Sequence, residues 1–125
     1  MIVGTGVDLC EVPRIESAIA RHGQRFLQRV FTGSEIAYAE SKANRFERYA
    51  ARFAAKEATM KAMGTGWNRN VGWREIEVVR ERGRAPGIVL HGKTAEFARR
   101  RKIANLHLSL SHTASTVIAH VIAEG

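Results

Sequence analysis

One cysteine, Cys10, and two prolines are all that 125 residues contain of either type. A lone cysteine excludes an internal disulfide and cannot hold a metal cluster by itself, so a reducing cytoplasm is the expected setting. No apolar run approaches the roughly 18–20 residues of a membrane helix. Residues 1–4 lack a basic stretch leading into an apolar one, so neither membrane association nor a signal peptide is expected. Histidines and cysteines at zinc spacing are missing, as are an EF-hand loop, a P-loop of the form GxxxxGK(S/T) and a GxGxxG turn. Zinc, calcium-sensor, nucleotide triphosphatase and Rossmann chemistry are therefore not indicated. Acids are the minority charge: 12 against 20 basic residues leave a net charge of +8. That excess calls for an acidic partner, which nucleic acid, an acidic protein or a polyphosphate substrate would each satisfy.

What is present fits one domain with a modest core: 45% of residues are hydrophobic and 26% charged, the balance of a globular protein. Its organising stretch is a helix from Asn44 or Arg45 to Ala62. At 3.6 residues per turn, Phe46, Tyr49, Phe53 and Met60 form a large apolar stripe, continued by a face of small residues at Ala50, Ala51, Ala54, Ala55, Ala58 and Ala62. Arg45, Arg52 and Lys56 fall on the remaining side. Glu57 does not join them: it lands within the apolar arc, where a carboxylate is costly unless neutralised. Lys61 follows one turn later.

Residues 2–10 read as a strand. Val3, Thr5, Val7 and Leu9 share one face; Ile2, Gly4, Gly6, Asp8 and Cys10 share the other. The glycines leave that second face bare beside Asp8, as happens where a backbone or a ligand approaches closely; a cap at the strand end is the plainer role for Asp8. Pro13 opens a helix that Gly23 interrupts, and a second helix carries Phe26, Leu27 and Val30 inward. Arg14, Arg21, Arg25 and Arg29 make one basic stripe if the helical phase survives Gly23. Such a run is usually a solvated face, but four like charges in one row repel, which favours docking of an acidic partner. Thr32 or Ser34 caps the next helix, and Gly64-Thr65-Gly66 ends the long one. Residues 67–72 are polar and irregular. A half-exposed strand is expected over 73–82, a turn at 83–87, a short strand at 88–90, a basic helix over 92–102 with Ala95, Phe97 and Ala98 inward, and two final strands over 105–111 and 116–123. Local hairpins with segregated helices indicate an α+β fold in a single domain spanning 1–125.

Asp8 and Glu57 each occupy a face that tolerates an unpaired charge poorly. Brought together they would need a cation, and Mg²⁺ or Mn²⁺ suits carboxylates completed by water and phosphate oxygens; an ion pair between Glu57 and Lys61 is the competing account. Lys61 would face the same site and neutralise phosphoryl charge. Arg52 and Lys56 are either a solvated face or a hold on a more distant phosphate. Gly64 and its neighbours either stop the helix or offer N–H groups to phosphate. Ser109, Ser111 and His112 end a strand on its polar side, where they suit hydrogen bonds to phosphate or ribose better than nucleophilic catalysis, which needs a third orienting group. His107 and His120 read as ordinary strand histidines, His22 as a surface residue, and Cys10 as buried structure.

Three ordered blocks carry a resemblance. Ile2-Val3-Gly4-Thr5-Gly6-Val7-Asp8-Leu9, with Arg14 following, resembles the GxD motif of the 4′-phosphopantetheinyl transferases. Phe53-Ala54-Ala55-Lys56-Glu57 with Lys61 resembles their (W/F)xxKExxxK signature, and Leu108-Ser109-Leu110-Ser111-His112 the third block of their short, single-domain branch. Phe31-Thr32 followed by Glu35 also resembles that branch. The resemblance implies Mg²⁺-dependent transfer of 4′-phosphopantetheine from coenzyme A to a serine of apo acyl carrier protein, releasing adenosine 3′,5′-bisphosphate. By it, Asp8 and Glu57 bind the metal and, with Lys61, form the catalytic set; Arg52, Lys61, Gly64, Ser111 and His112 lie on the coenzyme A side. The basic first helix, through Arg14, Arg21 and Arg25, receives the acidic carrier, with Arg21 and Arg25 resting on helical spacing. It further implies a homotrimer with sites between subunits, and offers Glu57, Glu35 or His112 as the general base. The rivals are a small basic nucleic-acid-binding module, which would need more aromatics than the 7% present, and a non-catalytic subunit that only binds acidic carriers.

Overall fold

Gly4 and Gly6 decide how the first strand meets the long helix. In the computed structural model, which describes residues 1–66, 68, 70–80 and 83–125, β1 (Ile2–Glu11) lies against α4 (Arg45–Ala62). A Cβ on Gly4 would overlap the Ala62 carbonyl oxygen, and one on Gly6 the Ala58 carbonyl oxygen. The close approach expected of the bare face is therefore made by the α4 backbone, and only glycine permits it.

Around this contact the chain runs α1 (Val12–His22), α2 (Gln24–Val30), α3 (Gly33–Glu40), α4, a 3₁₀ turn (Trp73–Glu75), β2 (Ile76–Val79), β3 (Gly87–Leu90), α5 (Gly92–Arg100), β4 (Asn105–His112) and β5 (Thr116–Glu124). Two antiparallel sheets result: β1-β5-β4, and the β2-β3 hairpin. The α+β reading holds. Strand alternation places Gly6, Cys10, Val117, Ala119, Val121 and Ala123 under α4, while Val3, Val7, Leu9 and Ile118 remain exposed on the opposite face. Ala50, Ala54, Ala55 and Ala58 are fully buried, so the small-residue face is the one that lets the helix sink onto the sheet. The apolar stripe is divided: Tyr49 joins this main core, whereas Met60 packs in a second cluster with Met63, Val71, Ile76, Phe97 and Ala98.

Several boundaries differ from the expectations. The strand expected over 73–82 begins as a 3₁₀ turn, with β-pairing confined to Ile76–Val79; residues 81 and 82 lie outside the described residues, as do 67 and 69 of the irregular stretch. α5 stops at Arg100. Gly23, at φ 55° and ψ −133°, breaks the phase between α1 and α2. The four arginines therefore lie on two helices rather than along one continuous stripe. Thr32 is the cap of α3: its hydroxyl accepts from the Glu35 N–H while Glu35 accepts from the Thr32 N–H, a reciprocal arrangement that satisfies two otherwise unpaired donors.

Candidate active site

Asp8 sits where β1 passes α4, its side chain 13% exposed. Lys61 reaches back from the last turn of α4, donating to Asp8 Oδ1 at 3.2 Å and to the Val7 carbonyl at 2.9 Å. Lys61 thus pairs with Asp8 and not with Glu57, the pairing weighed from sequence alone. Glu57, one turn earlier, is half-buried in the field of Asp8. Burial, and then the Asp8 charge, raise its proton affinity, while Lys61 and Arg14 oppose this. Four charges from β1, α1 and α4 therefore converge. Cys10 lies just beneath, 5% exposed, its thiol pushed up to about 11 by burial and by Asp8, which leaves it inert at neutral pH.

The two carboxylates fit a hard divalent cation. Glu57 is destabilised as an anion by lost solvation and by a like charge, and a cation between them would relieve both. Among the described residues no third His, Cys, Asp or Glu joins the pair. Two carboxylates completed by water and phosphate oxygens match Mg²⁺, which seldom takes an all-protein cage.

Arg52 and Lys56 are not a solvated face. Lys56 is fully buried and bonds Glu35 Oε1 at 2.8 Å; burial pushes its ammonium down and Glu35 opposes this. It cannot hold a phosphate. Glu35, 1% exposed and tied to Lys56, Thr32 and Val78, is equally removed as a general base. Arg52 is 5% exposed, with its guanidinium 4.3 Å from the Tyr38 ring centroid. Its Nε is a buried donor without a hydrogen-bond acceptor among the described residues.

Arg52 belongs to a separate cleft of about 340 Å³, where Arg48, Arg80, Pro86 and His112 also lie. His112 Nδ1 is 3.0 Å from Glu47 Oε1. An anion would suit this cluster of cations and its orphaned donor. Of the residues expected on the coenzyme A side, Arg52 and His112 meet here. Lys61 stands with Asp8, Gly64 packs beside the Arg101 guanidinium, and Ser111 is exposed on β4. Asp8 pairs across to Ala119 on β5, which pairs with Leu110 on β4. The carboxylate cluster and the arginine cleft thus stand at opposite edges of a three-stranded sheet. On the outer surface of α1, Arg14 and Arg21 flank a shallow groove with Ser17, Ala18 and His22; Arg25, on α2, is exposed.

Arg48, Arg80 and Glu47 are cleft residues that the motifs miss. Arg48 carried a usable signal, being one turn before Arg52. Glu47 and Arg80 did not, since their partners are distant in sequence.

Residues 4–117 match the sequence profile of the 4′-phosphopantetheinyl transferase superfamily. The chain is 56% identical over 124 residues to the holo-[acyl-carrier-protein] synthase of Solibacter usitatus, with 99% of each chain covered. Among solved structures it is similar to holo-[acyl-carrier-protein] synthase from Neisseria meningitidis, with a TM-score of 0.93, 32% identity and complete coverage of both chains. The Bacillus anthracis synthase, solved in complex with coenzyme A (3′,5′-ADP), gives a TM-score of 0.82 at 33% identity over 100% of this chain and 98% of that one. The chain belongs to the 4′-phosphopantetheinyl transferase superfamily, in its short holo-[acyl-carrier-protein] synthase branch.

Proposed function

We propose that this protein transfers the 4′-phosphopantetheine arm of coenzyme A to a serine hydroxyl of apo acyl carrier protein, releasing adenosine 3′,5′-bisphosphate. The observation that carries the reading is the convergence of Asp8, Glu57 and Lys61 on the glycine-floored strand. Asp8 and Glu57 would hold Mg²⁺, with Mn²⁺ as a substitute, and the ion would supply neutralisation of the diphosphate charge. Lys61, half-exposed beside Asp8, donates to the transferring phosphoryl group as charge shifts toward the leaving oxygen. Arg14 adds positive charge at the rim and, with Arg21, lines the groove on α1 that would receive an acidic carrier helix; Arg25 extends that surface onto α2. Arg14 lies both in this groove and in the field of Glu57, which supports a carrier docked there bringing its serine to the phosphoryl group. With Glu35 locked in the core, Glu57 and His112 remain as acceptors of the serine proton.

The arginine cleft, about 340 Å³, is at the small end of ligand sites and would take one end of coenzyme A, not all of it. Arg52 and His112 bind a phosphate there in this reading, with Gly64 and Ser111 along the path. Because the cleft and the carboxylates lie at opposite sheet edges, a complete site needs the edge of a second copy. The exposed Val3, Val7, Leu9 and Ile118 provide an apolar face for such copies to cover, and a homotrimer with sites between subunits accounts for both features.

The test is to incubate the purified protein with coenzyme A, Mg²⁺ and apo acyl carrier protein and follow the carrier's mass. Gain of the phosphopantetheine mass, lost on chelation, is expected. An unmodified carrier, or modification that survives metal removal, would overturn the assignment.

A further inference from the structure

Two of the sequence blocks, Phe31-Thr32 with Glu35 and Lys56-Glu57, meet as one buried clamp. Lys56 Nζ has three donors and uses all of them: Glu35 Oε1 at 2.8 Å, the Trp73 carbonyl at 2.9 Å and the Ile76 carbonyl at 2.5 Å. Glu35 accepts in addition from the Thr32 N–H and the Val78 N–H, both at 2.8 Å. Both side chains are wholly inaccessible. A buried ion pair is seldom the most stable filling for such a space, since apolar side chains of similar volume often do as well or better. What it supplies is direction: the three Lys56 bonds fix α4 rotationally against α3, the 3₁₀ turn and β2, and the two further bonds to Glu35 anchor that carboxylate.

That rotation matters because the next residue is Glu57. Consecutive helical residues are set about 100° apart, so the setting that points Lys56 into the core presents Glu57 sideways, toward Asp8. On the β1 side the Gly4 and Gly6 contacts fix only the distance between strand and helix. Contacts made through glycine carry no side chain to resist rotation, and the Lys61 bonds to Asp8 and the Val7 carbonyl come from a half-exposed side chain on a flexible stem.

We propose that the buried Glu35–Lys56 pair is a positioning device for Glu57, holding it in register with Asp8 for the divalent cation. The inference rests on the metal reading above and goes beyond it: neither residue touches substrate or ion, yet both set the metal affinity.

The experiment is Mn²⁺ binding to the full-length protein, followed by electron paramagnetic resonance, with Glu35→Gln and Lys56→Met compared with the unaltered chain. Glu35→Gln keeps size and shape, and serves alone if Lys56→Met does not fold. The expected result is a Kd for Mn²⁺ about tenfold weaker in a variant that still melts cooperatively, with the KM for carrier protein unchanged. In a Glu57→Gln background the same substitution should weaken binding no further, because its effect passes through Glu57. An unchanged Kd in a folded variant would overturn the inference, as would a full additional loss on top of Glu57→Gln. If the unaltered protein bound no Mn²⁺ at all, the metal reading itself would fall and this inference with it. Binding that is weakened in Glu57→Gln but normal in folded Glu35→Gln and Lys56→Met would sink the inference alone.

Discussion

Glu57 is held in an unfavourable place, and two opposite consequences follow from one substitution. Its proton affinity in the folded state is raised by burial and by Asp8. The folded protein therefore binds this proton more readily than the unfolded chain, and stability falls as pH rises above the ordinary carboxylate value of 4.5. Glu57→Gln removes that penalty. Thermal denaturation at pH 7 is expected to show a higher Tm than the unaltered chain, while transfer falls by roughly 10²–10³-fold. Asp8→Ala should lose activity similarly and leave carrier binding intact, whereas Arg14→Glu should raise the KM for carrier and spare kcat. At this scale the sequence was partly legible. Glu57 stood out because a charge in an apolar sector is visible on a helical wheel, and Asp8 because glycines leave its strand face bare; the fold brings both together with Lys61. Lys56 was misplaced, and the solvated alternative for Arg52 fails, because the wheel shows where a side chain points but not what waits there. The partners that bury them, Tyr38 and Glu35, come from another helix.

Among the elements, α3 and β2 are joined by Glu77. Its carboxylate accepts from Thr32 and Ser34 at the start of α3, and it lies 2.9 Å from His91 Nε2. These bonds, that from Ser34 foremost, hold it down at about 2. The folded value is depressed, so the stabilisation is complete above the ordinary 4.5 and is lost as pH falls toward 2. Urea midpoints measured between pH 5 and 2 should fall in the unaltered protein and fall less in Glu77→Gln, which starts lower at pH 5. Helices were the legible elements, because caps and glycines mark their ends: Thr32, Gly23 and the 64–66 turn all behave as their chemistry dictates. The 73–82 stretch was not, since alternation over a few residues cannot distinguish a 3₁₀ entry from a strand. Only the Lys56 bonds to the Trp73 and Ile76 carbonyls show why the chain bends there.

For the whole molecule, the separation of the carboxylate cluster from the arginine cleft predicts complementation. Asp8→Ala and Arg52→Ala, each inactive alone, should regain activity when co-refolded, because mixed assemblies contain sites with both halves intact. Sedimentation should show the unaltered protein as an oligomer and Leu9→Glu as a smaller species, with activity lost in parallel. A fully active monomer would contradict the shared site. The α+β class was legible from the order of elements. Shared sites were implied by the family resemblance, but the placement of the two clusters at opposite sheet edges was not legible in the residues, because it depends on the β1-β5-β4 order, which places the first strand and the next-to-last on either side of the final one.

The glycine contact between β1 and α4 would also bear on which ion the proposed site chooses. With the strand and helix backbones already touching at Gly6, the elements that carry the two carboxylates can be moved apart but not drawn closer. In the proposed site such a seat would favour the smaller ion, Mg²⁺ with oxygen distances of about 2.0–2.1 Å over Ca²⁺ at about 2.3–2.6 Å. Gly6→Ala would act as a shim, lowering stability by roughly 1–3 kcal/mol through overpacking and widening the seat. Its signature would be a swing of relative affinity from Mg²⁺ toward Ca²⁺, so that one methyl group retunes ion selectivity without altering either ligand.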